Sequence, residues 1–359
     1  MVPAKPQPAQ KQPGNKAPPS TKSKSQSLAE SLAAALAKDD IQVTTGTDTA
    51  IQIKLPGVIS TRCPTLDAAI GRGGIPLSRL SIITGPEAGG KTTLALHIAA
   101  ECQAQGGIVL YVDAEHKLDI AYAKKLGVNV DEMLLSQPTD MEGSFKLFDK
   151  AVRMMTDKHP DIPILGILDS INANRSRDEY EGEYDSQQMG AQARVMSKKL
   201  PLLIRAISRK PVALLFISQP RDAIGTVTYK NKIAGGNAPK FYAALVIDLN
   251  RKEFLKVSEK PVGTVMVAKV IKNQVAVPFK EAQFNIVWGS GIDYHHALLE
   301  RGIHMGLLSR SGGWYEFADP NTGEIIRWQS MKGWRKIVEK RLDYLAWMEE
   351  QIKAKSGWG

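Results

Sequence analysis

Between Leu80 and Gln105 the chain runs through an apolar stretch, a glycine-rich loop and a helix-forming segment. The loop is Gly85-Pro86-Glu87-Ala88-Gly89-Gly90-Lys91-Thr92-Thr93, preceded by Leu80–Thr84 and followed by a helical pattern over Thr92–Gln105 that stops at Gly106-Gly107. A Gly-x-x-x-x-Gly-Lys-Thr run in that setting is a phosphate loop. Its glycines let backbone N–H groups converge on a phosphate, and the helix N-terminus adds a partial positive charge. Lys91 can then reach the β- and γ-phosphates, and the Thr92 hydroxyl can ligate Mg²⁺. Such a loop works at the carboxyl edge of a strand within a sheet. The chain is therefore expected to be α/β and to bind a nucleoside triphosphate, ATP with Mg²⁺.

The rest of the pattern fits that frame. Strands are expected at Ile108–Val112, Ile164–Leu168, Val212–Ser218, Ala244–Leu249 and Thr264–Ile271, with helices between them. That alternation implies a largely parallel sheet covered on both faces. Thr139 and Glu142 suggest a capping box ahead of a helix with the apolar stripe Met141, Phe145, Phe148, Val152 and Met155. Asp169 ends one strand, where a second Mg²⁺ carboxylate belongs. Ile108–Val112 delivers Asp113-Ala114-Glu115-His116 to the same edge. Glu115 is the preferred general base, with Asp113 behind it, and His116 reads as a polar neighbour. Pro201 should break or kink the helix in which it falls. After Asp293 the pattern changes, and the end of the chain reads as one amphipathic helix with Trp334, Val338, Leu342, Leu345 and Ile352 on a face. Residues 1–27 are expected to be a disordered basic tail, 28–50 a helix (Leu28–Lys38, capped by Ser27) with a linker, 51–293 the core, and 294–359 a small α+β domain.

Composition narrows the partners. The 359-residue chain carries a net charge of +10, and half of that excess sits in residues 1–27, which hold five lysines and no acid. The balance points to a polyanion. No apolar run approaches the length needed to cross a bilayer, and the N-terminus lacks the apolar core of a secretory signal. Cys63 and Cys102 offer neither a disulfide framework nor metal-ligand spacing, which suits a reducing, cytoplasmic setting.

Longer runs carry a specific resemblance. Beside the loop stand Asp113-Ala114-Glu115-His116-x-Leu118-Asp119, Tyr122-Ala123-x-Lys125-Leu126-Gly127-Val128, Glu181-Gly182-Glu183, Phe216-Ile217-Ser218-Gln219, Gly235-Gly236-Asn237-Ala238, Lys240-Phe241-Tyr242-Ala243 and Pro278-Phe279-Lys280. From about Leu55 to Asp293 the chain resembles the RecA recombinases. The resemblance implies a RecA-like ATPase core, DNA-dependent ATP hydrolysis, and a helical filament on single-stranded DNA that pairs and exchanges strands with a homologous duplex in recombination and repair. It implies Glu115, Lys91, Gln219 and Lys272 as catalytic residues, with Gln219 reading the γ-phosphate. Asp119 and Tyr122 become the adenine pocket. Trp288 stands where the family places an aromatic against the neighbouring subunit's nucleotide. Phe241 resembles a residue that links subunits, and residues 28–50 become an oligomerisation helix and linker. Two DNA loops are implied, one with Met189, Arg194 and Ser197, the other with Arg221, Ile224, Tyr229, Lys230 and Lys232, closed by Gly235, Gly236 and Asn237. Their basic and aromatic residues suit phosphates and unstacked bases.

The chain also departs from the family. A lysine pair that crosses the subunit boundary survives as Lys272 alone, with Gln274 in the second place. A neutral amide stabilises developing charge less well than a cation. An acidic tail that restrains DNA binding is expected to be missing. These departures suggest a divergent member and a phage as one source. Two alternatives stand beside recombination: an ATP-switched DNA-binding filament with weak hydrolysis, and a hexameric helicase-type motor.

Overall fold

A computed structural model describes residues 23–38, 43, 55–181, 190–220 and 233–357. The chain forms two units, residues 1–54 and 55–359.

In the first unit, α1 spans Lys24–Ala37. It begins a turn before the expected Leu28. Ser23, not Ser27, is the cap: its side chain accepts from the Gln26 amide, and Gln26 reciprocates on the Ser23 amide. Leu28 and Leu32 are exposed.

The second unit is built on strands β1 (Val58–Ile59), β2 (Ile75–Pro76), β3 (Arg79–Thr84), β4 (Ile108–Asp113), β5 (Met133–Ser136), β6 (Ile164–Asp169), β7 (Val212–Ser218), β8 (Leu245–Val257), β9 (Lys260–Asn273), β10 (Glu281–Val287) and β11 (Gly291–Ile292). Helices α2 (Pro64–Ile70), α3 (Lys91–Ala104), α4 (Ile120–Lys125), α5 (Met141–Lys158), α6 (Arg177–Glu181), α7 (Ala191–Ile207) and α8 (Ala238–Tyr242) lie among them. The nine-stranded sheet runs β11-β10-β9-β8-β3-β7-β6-β4-β5. From β8 to β5 every neighbour is parallel, while β9, β10 and β11 are antiparallel. Strands β6 and β7 are buried along their whole length, as central strands covered on both faces must be.

One face packs on α3, which is buried nearly all round through Leu94, Leu96, Ile98 and Cys102. Burial pushes the Cys102 thiol up to about 12, so it is an inert core side chain. The other face packs on α5 and α7, with Phe145 and Phe148 against Phe216. The α5 cap is Asp140 rather than Thr139: Asp140 Oδ1 accepts from the Gly143 amide at 2.6 Å, and Glu142 instead accepts from the Arg177 amide. Pro201 does not end α7, which continues to Ile207. The ring removes one backbone bond, but Met196, Leu200, Leu203 and Ile207 bury a continuous apolar face that outweighs it.

The β8–β9 hairpin outruns both strands expected for it. Beyond Leu249 its residues are largely exposed, so hydrophobic alternation disappears where the ladder continues. Its turn is closed by Ser258 and Glu259, both at positive φ, which matches the twist of a two-residue hairpin.

A third core lies toward the C-terminus. Asp293 caps α9 (Tyr294–His304) by accepting from the His296 amide. A three-stranded antiparallel sheet, β12 (Ser309–Ser311), β13 (Trp314–Ala318) and β14 (Ile325–Gln329), precedes α10 (Ser330–Lys340) and α11 (Leu342–Ser356). The single final helix expected from the sequence is thus two. Arg341 leaves helical geometry, Leu342 is exposed, and the break aims Tyr344, Met348 and Ile352 into the cluster of Trp328, Trp334 and Phe317. Arg62, which pairs with Glu101 of α3 at 2.7 Å, also covers the Tyr294 ring, and Tyr294 donates to Glu349 of α11.

Candidate functional site

The phosphate loop joins β3 to α3. Gly85 is required there, because a Cβ would meet the Leu249 carbonyl of β8 at 2.1 Å. Lys91 opens α3 and donates to the Gly85 and Pro86 carbonyls at 2.9 and 2.7 Å. Burial lowers its pKa, and Asp169 and Glu115 work against that shift. Thr92 Oγ1 donates to Asp169 Oδ2 at 2.8 Å, so the loop hydroxyl and the strand-end carboxylate share one point. Tyr111 of β4 donates to the same oxygen at 2.8 Å. Burial raises Asp169 above the usual carboxylate range, while these two hydroxyls pull it back.

Beside this pair sits Glu115. Its Oε1 accepts from Ser170 Oγ at 2.6 Å and lies 3.5 Å from Gln219 Nε2, and Lys117 Nζ is 3.7 Å from Oε2. Gln219 is fixed through its backbone. Asn172 Oδ1 accepts from its amide at 2.8 Å, and Asn172 Nδ2 donates to its carbonyl at 3.0 Å. Ser218 Oγ accepts from the Ala234 amide, so Ser218 ties the end of β7 to the chain beyond residue 232. Asp113 is committed elsewhere: it accepts from the Lys117 and Leu118 amides and from Gln137, which leaves Glu115 as the carboxylate of the Asp113–His116 run that lines the cleft.

Lys91, Thr92, Glu115, Lys117, Asp169 and Gln219 line a cleft of about 380 Å³ together with Glu87, Thr93, Tyr122 and Trp288. Tyr122 is held by its hydroxyl against Thr93 Oγ1 at 3.1 Å. Trp288 lies on the cleft of its own chain, at the turn between β10 and β11. Asp119 does not line the cleft; it caps α4 by accepting from the Tyr122 amide at 3.0 Å. Lys272 is also outside it, donating to the Lys240 and Phe241 carbonyls at the end of α8. Phe241 is exposed. Arg194 and Ser197 are exposed on α7. Gly235 and Gly236, both at positive φ, are demanded by packing: a Cβ on either would press on Met196 or Ala193 of α7. Asn237 precedes α8. Met189, Arg221, Ile224, Tyr229, Lys230 and Lys232 lie outside the described residues.

Sequence reasoning missed Tyr111, Ser170 and Asn172 as site residues. Only Tyr111 carries a signal, as the polar-tipped residue in an otherwise aliphatic strand. His97 was missed too: its Nε2 accepts from the Ile292 amide at 2.9 Å, fastening α3 to β11.

A phosphate loop feeding a largely parallel sheet, with an acidic strand end at its threonine, defines a phosphate-loop nucleotide-binding protein of the α/β class. Comparison narrows this. Residues 30–293 match the family model "RecA N-terminal domain". The chain is 39% identical over 302 residues to Protein RecA of Syntrophus aciditrophicus, covering 84% of each. It is 43% identical over 275 residues to Protein RecA of Desulforapulum autotrophicum, covering 76% of this chain and 77% of that one. It is 41% identical over 306 residues to Protein RecA of Sulfurimonas denitrificans, covering 84% and 85%. The chain belongs to the RecA family, the ATP- and DNA-binding recombinases that exchange DNA strands in recombination and repair. These relatives favour neither alternative reading and, coming from cellular organisms, give no support to a phage source.

Proposed function

We propose that this recombinase hydrolyses ATP with Mg²⁺ when bound to single-stranded DNA, and that it does so within a homo-oligomeric filament. The observation that carries the reading is the bridge from Asp169 through Ser170 and Glu115 to Gln219. It sets a base beside the loop and ties it to the residue that leads toward the second DNA loop. The donor set suits the metal. A hydroxyl and a carboxylate oxygen 2.8 Å apart are hard ligands of the kind Mg²⁺ takes when phosphates complete its shell. Thr92 and Asp169 would hold the metal, which would supply positive charge against the phosphates.

The chain's own residues supply the rest. Lys91 can exchange its loop carbonyls for phosphate oxygens. Glu115, oriented by Ser170, accepts the proton of the attacking water. Gln219 donates where the γ-phosphate ends, so its amide senses cleavage. Tyr122 and Trp288 take the base, and Asp119 positions Tyr122 through the α4 cap. Lys272 and Phe241 act across the boundary between copies. Arg194, Ser197, Asn237 and the basic residues of the two loops hold single-stranded DNA, and a homologous duplex is the second partner. We place this work in the cytoplasm; among the described residues no helix is long and apolar enough to cross a membrane.

Electron microscopy with single-stranded DNA, comparing ATP, a slowly hydrolysed analogue and no nucleotide, tests the reading. Extended filaments should need nucleotide and persist with the analogue. Filaments indifferent to nucleotide would overturn it.

A further inference from the structure

Two aromatic rings line the nucleotide cleft, and they are held differently. Tyr122 is fixed by its hydroxyl bond to Thr93. Trp288 is half exposed, in a turn whose backbone is tied by its own amide to the Val262 carbonyl. Its indole has one ring neighbour among the described residues, Phe254 of the β8–β9 hairpin. The centroids are 6.2 Å apart and the planes meet at 78°, an edge-to-face pair. Phe254 is half exposed in turn, and the Arg251 guanidinium covers its ring at 4.6 Å from the centroid.

The ladder explains how this pile-up arises. On a regular strand Arg251 and Phe254, three residues apart, would face opposite sides. Here Arg251 pairs with Met266 and Glu253 with Val265, so Lys252 is an extra residue. The bulge turns Arg251 and Phe254 to one side while Lys252 reaches across to Gln283 of β10. The part of β8 beyond the apolar core thus has a task that burial does not explain.

We propose that Phe254, steadied by Arg251, is a positioning residue that holds Trp288 over the cleft as a stacking wall for the nucleobase. It acts through Trp288 and touches no phosphate. Its contribution falls on the base-binding half of the site and leaves the phosphate loop untouched. The proposal rests on the assignment of the cleft to ATP.

The experiment compares equilibrium binding of ATP with that of inorganic tripolyphosphate, which has no base, both with Mg²⁺ and the full chain. Phe254→Ala should weaken ATP about three- to tenfold, the range of one lost aromatic pair, and leave tripolyphosphate unchanged. Phe254→Tyr should restore ATP binding to wild-type strength, and Arg251→Gln should weaken it about twofold. Unchanged ATP binding in Phe254→Ala would overturn the proposal, as would equal loss of both ligands, which marks a role in the fold. A wild-type chain that binds tripolyphosphate and ATP alike would refute the base-stacking wall while sparing the phosphate loop. A wild-type chain that binds neither would refute the nucleotide assignment itself.

Discussion

Lowering the pH should loosen the nucleotide helix at one residue, His97. Its Nε2 is an acceptor for the Ile292 amide, and burial with the nearby Arg62 charge lowers its pKa from 6.5 to about 4. Its folded pKa is depressed, so the neutral form is the native one. This contribution to stability is present above pH 6.5 and is lost as pH falls toward 4. Between pH 7 and pH 5 the loss is about 2 kcal/mol, from the ratio of proton binding in the unfolded and folded chains. In a chain of this size that is roughly 2–3 °C in Tm. His97→Gln keeps an acceptor for Ile292 and removes the titration. Thermal melts of both proteins at pH 7 and pH 5 separate this group from every carboxylate that also titrates there. The variant should lose less Tm on acidification, by about the 2–3 °C given above. Equal losses in the two proteins would refute the reasoning.

Other outcomes can be checked at the site. Tyr111→Phe removes a buried hydrogen bond to the Asp169 carboxylate and should cost about 1.5–3 kcal/mol in denaturant melts at neutral pH. Ser170→Ala should lower ATP turnover more than ATP affinity, because it frees Glu115 without touching the phosphate loop; steady-state kinetics resolve the two. Gln274→Lys should raise DNA-stimulated ATP turnover by restoring a cation, and no gain would sink that idea. The logarithm of DNA affinity should fall steeply and linearly with log salt if phosphates dominate, as titrations in rising salt will show.

The parts of this site that were legible in the sequence are those fixed by local spacing. The phosphate loop needs its glycines and its Lys-Thr within one short run, so Gly85–Thr92 could be read directly. Asp169 and Glu115 could be placed because a strand end is itself a local signal. Tyr111, Ser170 and Asn172 could not, since their roles depend on which strands lie side by side, and strand order is a long-range property. The helix limits went wrong where a single side chain decides: Ser23 against Ser27, Asp140 against Thr139. Pro201 misled because tertiary burial outweighs a local penalty. The bulge at Lys252 left no mark because Arg251, Lys252 and Glu253 are all exposed and carry no hydrophobic alternation.

Helix α3 has a property that emerges only when its bonds are read along its axis. Lys91 reaches the loop, Thr92 reaches β6, Thr93 reaches α4, His97 reaches β11 and Glu101 reaches Arg62. Five parts of the fold are thus bolted to one 14-residue shaft, about 21 Å long. Parts gauged from a common shaft do not accumulate error from one to the next, as they would along a chain of loops. The phosphate loop, Tyr122 and Asp169 therefore take their spacing from a single helix.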